Sequence, residues 1–456
     1  MLAALSPPGD TDWSNTNTMN PSPDDITRLI RVCEPNEALE PDDPRYVNCD
    51  DVRGEKLVDV YVRSLRRADP MRPEVKMFAG HRGVGKTCEL NRIKKLLEEP
   101  LSEENPHRPF KVIYMDAGKG LDLNDLDLPD LLVFVADQVQ RQLREARIPG
   151  FTPVSAYLTG VLGEIKKTLT SKVKIKDASV EAGFASLTVE LKNRPNSRQM
   201  LREAIEQQST GLLNGVNDVL THASVKLREI GTEGLVLIID GLERLALRPL
   251  EDGSTTTHDR LFLDRSEQLA SLKAHTIYTV PISLFYSPRC AQLEQTLGEH
   301  NVPVPMIRLH ERAETKTSPD SPGMKKLWAM IEARCRSANV DIKDVFDKPE
   351  TGLYLCEMTG GHPRHLLMFL VAALNALDRL PITRKAAEKA VRNYANSLLR
   401  EIPDEYRDKL RAFKTPKLNI PKDEMHQQML FLLHIFEYMN GEPWYELNPV
   451  VRILLP

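Results

Sequence analysis

No apolar run in the 456-residue chain reaches the roughly 18 residues a membrane-spanning helix needs, so no membrane partner is expected. The apolar start, Met1 to Leu5, lacks the basic flank and long apolar core of a secretory signal, and a cytoplasmic location is expected. The six cysteines are scattered, with no C-x-x-C and no histidine pair at zinc spacing, which leaves reduced thiols as the reading. Net charge is only −4, which gives no global reason for a nucleic-acid partner, although a local basic face is compatible with it. No repeat and no [NT]-K-x-D guanine element is present. What is there is an ordinary globular composition, 41% hydrophobic and 28% charged, on a chain long enough for more than one domain.

Residues 1–42 are rich in Pro, Asp, Asn and Ser and read as a flexible N-terminal arm, with a short helix from Asp24 to Val32 and Met19 as an alternative start. Residues 43–310 alternate apolar strands with amphipathic helices. A helix over Glu55–Arg67 precedes a strand at Val75–Phe78, and a helix over Lys86–Leu97 precedes a strand at Phe110–Met115. Strands at Leu235–Ile239 and Thr276–Ile282 follow, with Met306–Leu309 as a fifth. That alternation predicts an α/β fold with a parallel sheet covered on both faces. Residues 151–233 interrupt it. Val173 and Ile175, then Leu187, Val189 and Leu191, alternate with polar residues on either side of Gly183 and predict a β-hairpin. Asn196 and Ser197 then cap a long helix, and the block reads as an insertion that serves as a partner surface or simply covers the sheet. Residues 311–402 are helical and form a lid. In 403–456, Asn440-Gly441 between Tyr438 and Trp444 marks a hairpin and suggests a winged-helix-like domain.

The chemistry centres on Gly80-His81-Arg82-Gly83-Val84-Gly85-Lys86-Thr87, a full G-x4-G-K-[ST] match between a strand and a helix. Its glycines let backbone N–H groups turn inward onto phosphate oxygens, and the helix begun at Lys86 adds its positive end. Lys86 supplies a point charge for the β- and γ-phosphates and Thr87 a hydroxyl for Mg²⁺. Asp240, at the end of the Leu235–Ile239 run, is the second candidate magnesium residue, expected from a strand neighbouring the loop's own. Gly241 stands where an adjacent glutamate would be, so Glu243 is the candidate to position the attacking water, or else it pairs with Arg244 in solvent. The acids Asp116, Asp122, Asp125, Asp127 and Asp130 read as a solvated loop and helix-start charge, or as support for the magnesium shell. Thr279, Ser283 and Arg289 are weaker polar candidates. In Gly360-Gly361-His362-Pro363-Arg364, Pro363 opens a helix and Arg364 is placed to point from the lid at the nucleotide.

The order Arg53-Gly54, the glycine loop, Asp240-Gly241-Leu242-Glu243, the Thr279–Pro281 strand and the Gly-Gly-His-Pro-Arg turn resembles the STAND branch of AAA+-related ATPases, which includes NACHT proteins. The resemblance covers about residues 44–456. It implies a five-stranded parallel core, a helical lid and a winged helix, with MgATP gripped between them. Tyr46 to Arg53 would then lie near adenine. The implied nucleotide-binding set is the loop, the adjoining Cys88, Arg53, Pro363 and Arg364, with Lys86, Asp240 and Glu243 catalytic and Thr87 and Asp240 on magnesium. The implied function is a regulatory ATPase that oligomerises on ATP, often in antiviral defence. Many members carry an effector domain and sensor repeats; this sequence ends at the winged helix, so a separately encoded partner is expected. Two other readings stay open. One is a DNA-directed AAA+ ATPase of the origin-recognition or transposition-regulator type, with Arg407, Lys409, Arg411, Lys414, Lys417 and Lys422 as a broken basic strip. The other is a scaffold that binds nucleotide without hydrolysis.

Overall fold

A computed structural model describes residues 23–455 apart from 55, 70, 104, 154, 170–178, 251–254, 298–302 and 315. The first half of the expected 173–191 hairpin, with Val173 and Ile175, and the first part of the N-terminal arm, with Met19, lie outside the described residues. The chain forms two compact units. A sheet unit takes Val58–Ala79 and Ile93–Pro303; a loop unit takes Met1–Leu57, Gly80–Arg92 and Val304–Pro456.

The sheet unit is built on strands β1 (Val75–Gly80), β2 (Lys111–Asp116), β3 (Leu235–Asp240) and β4 (His275–Pro281) in the order β1-β4-β3-β2. Asp116 of β2 pairs in parallel register with Asp240 of β3, and β3 pairs in parallel with β4. Every residue of β3 and β4 is buried, as continuous apolar runs in a two-sided parallel sheet should be. The order corrects one expectation: β4, not β3, is the neighbour of β1, so the strand bearing Thr279 comes between the glycine-loop strand and the Asp240 strand. The fifth strand at Met306–Leu309 is not formed among the described residues. It is reduced to a parallel bridge between Gly80 and Val304.

The 151–233 block is helical where described, with helices Ala156–Thr168, Val180–Asn193, Pro195–Glu206 and Ser209–Glu229. Leu187, Val189 and Leu191 therefore lie on a helix, not a strand. The period-two reading fails because Val189 is 55% exposed, while Phe184, Leu187 and Leu191, spaced three and four apart, form the buried face. The long helix is broken at Gln207 and Gln208. The insertion also explains the acid run. Asp127 and Asp130 form a capping box on Leu128–Glu145, and Arg198 and Arg202 pair with Asp122, Asp125 and Asp130. These carboxylates are spent on pinning the insertion.

In the loop unit, part of the expected flexible arm is ordered. Pro23–Val32 is a helix that packs on Pro322–Ala338, Leu29 and Cys33 are each 2% exposed, and Arg28 donates to the Ala338 carbonyl at 2.9 Å. The helices Pro349–Met358, Pro363–Leu374 and Arg384–Glu401 lead to the short helix Glu424–Phe431 and the hairpin β5 (Ile435–Asn440) and β6 (Glu442–Leu447). Asn440 pairs with Glu442 across Gly441, whose φ of 74° is the left-handed turn that Asn-Gly provides. Tyr438 and Trp444 stack across the strands at 4.3 Å, and Lys417 bridges to Tyr445 as a third short edge, in keeping with a winged-helix-like end.

Candidate nucleotide site

The glycine loop opens the helix Lys86–Glu98 and belongs to the loop unit. Gly83 and Gly85 have φ of 84° and 104°, conformations that L side chains rarely adopt. Lys86 is 3% exposed, and its ammonium donates to the carbonyls of Gly80 and His81, each at 3.0 Å. Its charge is thus held at the loop itself. Thr87 follows on the first turn of the helix. Val84 is fully buried core, so in this loop the groups that could hold phosphate are backbone N–H, the Lys86 ammonium and the Thr87 hydroxyl. Hard oxygen ligands and an ammonium on a glycine-permitted turn fit a magnesium nucleoside triphosphate.

Side chains from distant segments fasten this loop. His81 Nδ1 donates to the Leu430 carbonyl at 3.2 Å, and its Nε2 accepts from the Glu437 N–H at 2.9 Å, which fixes one neutral tautomer. His362 caps its helix by accepting from the His365 N–H, and its Nε2 donates to the Arg82 carbonyl at 2.7 Å. His362 stacks on His365 at 3.9 Å, and both rings pack near Phe436, as does His81. Burial pushes His81 and His362 each down to about 3, and neighbouring cationic or ionisable groups push the same way. Both are therefore neutral spacers rather than charges for phosphate. Sequence reasoning missed this cluster: the HxxH spacing in 362–365 was visible, but nothing local tied it to His81.

The remaining loop-unit candidates divide. Arg53 is 6% exposed and donates to the Val84 carbonyl at 2.5 Å and to Glu89 at 3.2 Å, so it ties the segment before it to the loop. Glu89 also receives Arg92 at 2.7 Å and Tyr46, and Arg92 forks onto Asp50. Residues 46–53 are thus laid on the first turns of the loop helix. Arg364 is brought to the loop: a Cβ on Gly83 would lie 2.9 Å from Arg364 Cβ, and Arg364 Nε donates to the Pro35 carbonyl at 3.2 Å. Pro363 occupies the first helical turn, a structural position. Cys88 Sγ accepts from the Leu39 N–H at 3.3 Å, so its thiol faces the N-terminal segment. Arg82 lies over the Phe431 ring at 5.8 Å, and its carbonyl accepts from His362.

In the sheet unit, Asp240 is 3% exposed, with Oδ1 accepting from the Gly241 N–H at 2.7 Å and Oδ2 from the Tyr114 hydroxyl at 2.5 Å. Gly241 (φ 89°) turns the chain into a single 3-10 turn, Leu242–Arg244, which buries Glu243 to 8% exposure. Glu243 is therefore not a solvated partner of Arg244, which pairs with Asp116 at 3.2 Å. Thr279 is fully buried, accepts from the Leu242 N–H at 3.0 Å, and braces this turn. Ser283 bonds His258, and Arg289 pairs with Asp264 at 2.7 Å. All three are occupied structurally.

No family model matches this chain, and no curated protein matches it. Among solved structures it is similar to the ORC2 protein of Aeropyrum pernix, solved with ADPNP and ADP, at 13% identity over 93% of this chain and 95% of that one, with a TM-score of 0.42. It is similar to a Walker-type ATPase of Pyrococcus abyssi at 14% identity over 90% of this chain and 99% of that one, TM-score 0.42. The ORC1 protein of Aeropyrum pernix in complex with DNA gives 14% identity, 93% and 95% coverage, and 0.39. Likeness at that level carries no argument about function. Loop, sheet and C-terminal hairpin together make the chain an α/β P-loop nucleotide-binding fold. No described helix is long and apolar enough to cross a membrane.

Proposed function

We propose that the chain is a P-loop ATPase that binds MgATP through Gly80–Thr87 and acts as a nucleotide-controlled switch. The carrying observation is the complete loop, with left-handed Gly83 and Gly85 around a buried Lys86 whose ammonium is fixed on two loop carbonyls. In this reading Thr87 and Asp240 hold magnesium, Glu243 positions water, and Arg53 and Arg364 attend the nucleotide. Magnesium, when bound, supplies charge neutralisation to the transferred phosphoryl group. Lys86→Ala should weaken a fluorescent ATP analogue at least tenfold, about 1.4 kcal/mol, and stop turnover. Equal affinities for the two proteins would sink the loop assignment. A wild type that binds but does not turn over would favour the scaffold.

The finer reading is a STAND-type switch working with a separately encoded effector or sensor, as in antiviral defence, and oligomerising on ATP. The DNA-directed reading is the second. It is the class that the similar origin-recognition structures are named for, a likeness too low to argue from; the C-terminal charges oppose it. Helix Glu424–Phe431 carries Glu424 and no Lys or Arg, Glu442 sits beside the hairpin tip, and Arg407 and Arg411 are paired with Asp404 and Asp408. Duplex DNA binding that weakens steeply with salt would establish the second reading over the first. An ATP-dependent gain in mass without DNA binding would do the reverse.

A further inference from the structure

A cavity of about 350 Å³ opens within the loop unit, and none of the candidate nucleotide residues lines it. It lies between helix Pro349–Met358, the start of helix Arg384–Glu401, the hairpin and the last helix, Pro449–Leu454. Its volume is at the small end of small-molecule sites. Five charged side chains line it, and three of them satisfy one another. Glu446 accepts from His310 Nε2 at 3.1 Å through one oxygen and from Arg452 at 2.5 Å through the other. His310 Nδ1 faces the Glu311 carbonyl at 3.0 Å, so both ring nitrogens donate and the ring is the charged imidazolium. The Tyr438 hydroxyl in the wall is occupied too, donating to the Gly360 carbonyl at 2.7 Å.

Arg384 and Glu357 are left over. The Arg384 guanidinium lies 3.7 Å over the Tyr354 ring, and its Nε donates to Glu388 at 2.8 Å. Stack and bond together fix the guanidinium plane and leave both Nη groups without a partner among the described residues. Glu357 follows Tyr354 by three residues on one helix, so the two share a face. Its carboxylate has no hydrogen bond or ion pair among the described residues. Partial burial pushes Glu357 up, and the charges of Arg384 and Arg452 pull it down. Arg384 and Glu357 thus feel each other across the cavity without pairing. Beside them the wall is apolar, with Leu309, Met358, Pro449 and Ile453, the last 42% exposed.

We propose that this cavity binds a small zwitterion, an α-amino acid with an apolar side chain, its carboxylate on the Arg384 Nη groups and its ammonium on Glu357. A simple anion would meet Glu357, and a simple cation would meet Arg384 and Arg452. Only a ligand that carries both charges compensates both side chains. An amino acid carries them on one carbon, which suits two opposite charges held too far apart to pair, and its side chain takes the apolar wall.

The test uses the full chain without nucleotide, so it stands apart from the MgATP reading. L-leucine, L-methionine and L-phenylalanine are titrated calorimetrically, with leucinamide, which lacks the carboxylate, and N-acetyl-leucine, which lacks the ammonium. At least one amino acid should bind with a dissociation constant below about 1 mM, and each capped form of leucine should bind about tenfold more weakly than leucine. Glu357→Gln should abolish the preference for leucine over N-acetyl-leucine and keep the preference over leucinamide. Arg384→Ala should do the reverse, and both variants should melt near wild type. No binding by any of the three amino acids at millimolar concentration would overturn the proposal. So would capped forms that bind as well as leucine, which would mean a plain apolar groove, or variants that lose affinity for all the compounds equally.

Discussion

The glycine loop and the Asp240 turn are both buried, and they are held in opposite ways. The loop is fastened by side chains remote in sequence: His81 to Leu430 and Glu437, Arg82 to His362, Val84 to Arg53. The turn is fastened by the sheet it ends, through Tyr114 and Thr279 on adjoining strands and through its own Gly241 N–H. A loop held by side chains of distant helices and a hairpin depends on contacts far along the chain; a turn held by adjacent strands depends on the sheet. Substitutions on the two sides should therefore differ in kind.

The largest effect is expected at Gly83. Alanine there meets His362 Cε1 at 2.7 Å and Arg364 Cβ at 2.9 Å, at a φ of 84°. Left-handed strain plus the displaced His362 bond should cost about 4 kcal/mol in denaturant unfolding. Gly441→Ala is the control: its φ is 74° but nothing lies within 4 Å, so about 1 kcal/mol is expected. Equal costs at the two glycines would mean that His362 and Arg364 do not brace the loop.

Next in size is acid sensitivity. His81 and His362 have folded values near 3 against 6.5 unfolded, lowered chiefly by burial, with Lys86 adding to both and Arg364 to His362. Because the folded value lies below the unfolded one, stability is complete above about pH 6.5 and lost as pH falls, when the unfolded chain takes up the protons. Between pH 7 and pH 5 this pair should cost about 4 kcal/mol. His81→Gln combined with His362→Asn should flatten that slope, measured as unfolding midpoint against pH. An unchanged slope would place the acid sensitivity elsewhere, with the buried His258 of the sheet unit, also lowered to about 4, as the first suspect.

On the other side, Thr279→Val is a near-isosteric change that leaves the buried Leu242 N–H without its acceptor. About 2 kcal/mol of stability should be lost. Since the sheet constrains the turn, nucleotide affinity should hold while turnover falls, because Asp240 and Glu243 flank the loosened residue. A wild-type turnover rate would show that the brace is dispensable.

This contrast also marks what could be read from sequence. The loop, the β3 run ending in Asp240 and the Asn440-Gly441 hairpin were legible because each is local: spacing, periodicity and turn chemistry lie within a few residues. The strand order was not, because all four strands are similar apolar runs and only tertiary packing decides that β4 lies beside β1. The 180–193 helix was misread because Leu187, Val189 and Leu191 satisfy period two as well as they hide a helical face completed by Phe184. Tyr114 and the His81–His362 pair were invisible for one reason. Their partners are 126 and more residues away in the chain, and the motifs that contain His81 and His362 say nothing of which residues those rings meet.

The smallest expected effect belongs to Arg364, and it separates two parts of one side chain. The stem lies against Gly83, while Nε donates to the Pro35 carbonyl. Arg364→Ala removes both and should weaken the ATP analogue by less than tenfold, under about 1.4 kcal/mol, against the larger loss at Lys86. Arg364→Lys keeps an aliphatic stem and a charge but loses the planar fork. If lysine restores stability without restoring affinity, the stem braces the loop and the guanidinium serves the nucleotide. If it restores both, a point charge is enough and the fork has no part in binding. If alanine already matches wild type in affinity, Arg364 only props Gly83, and the expectation that it reads the nucleotide falls.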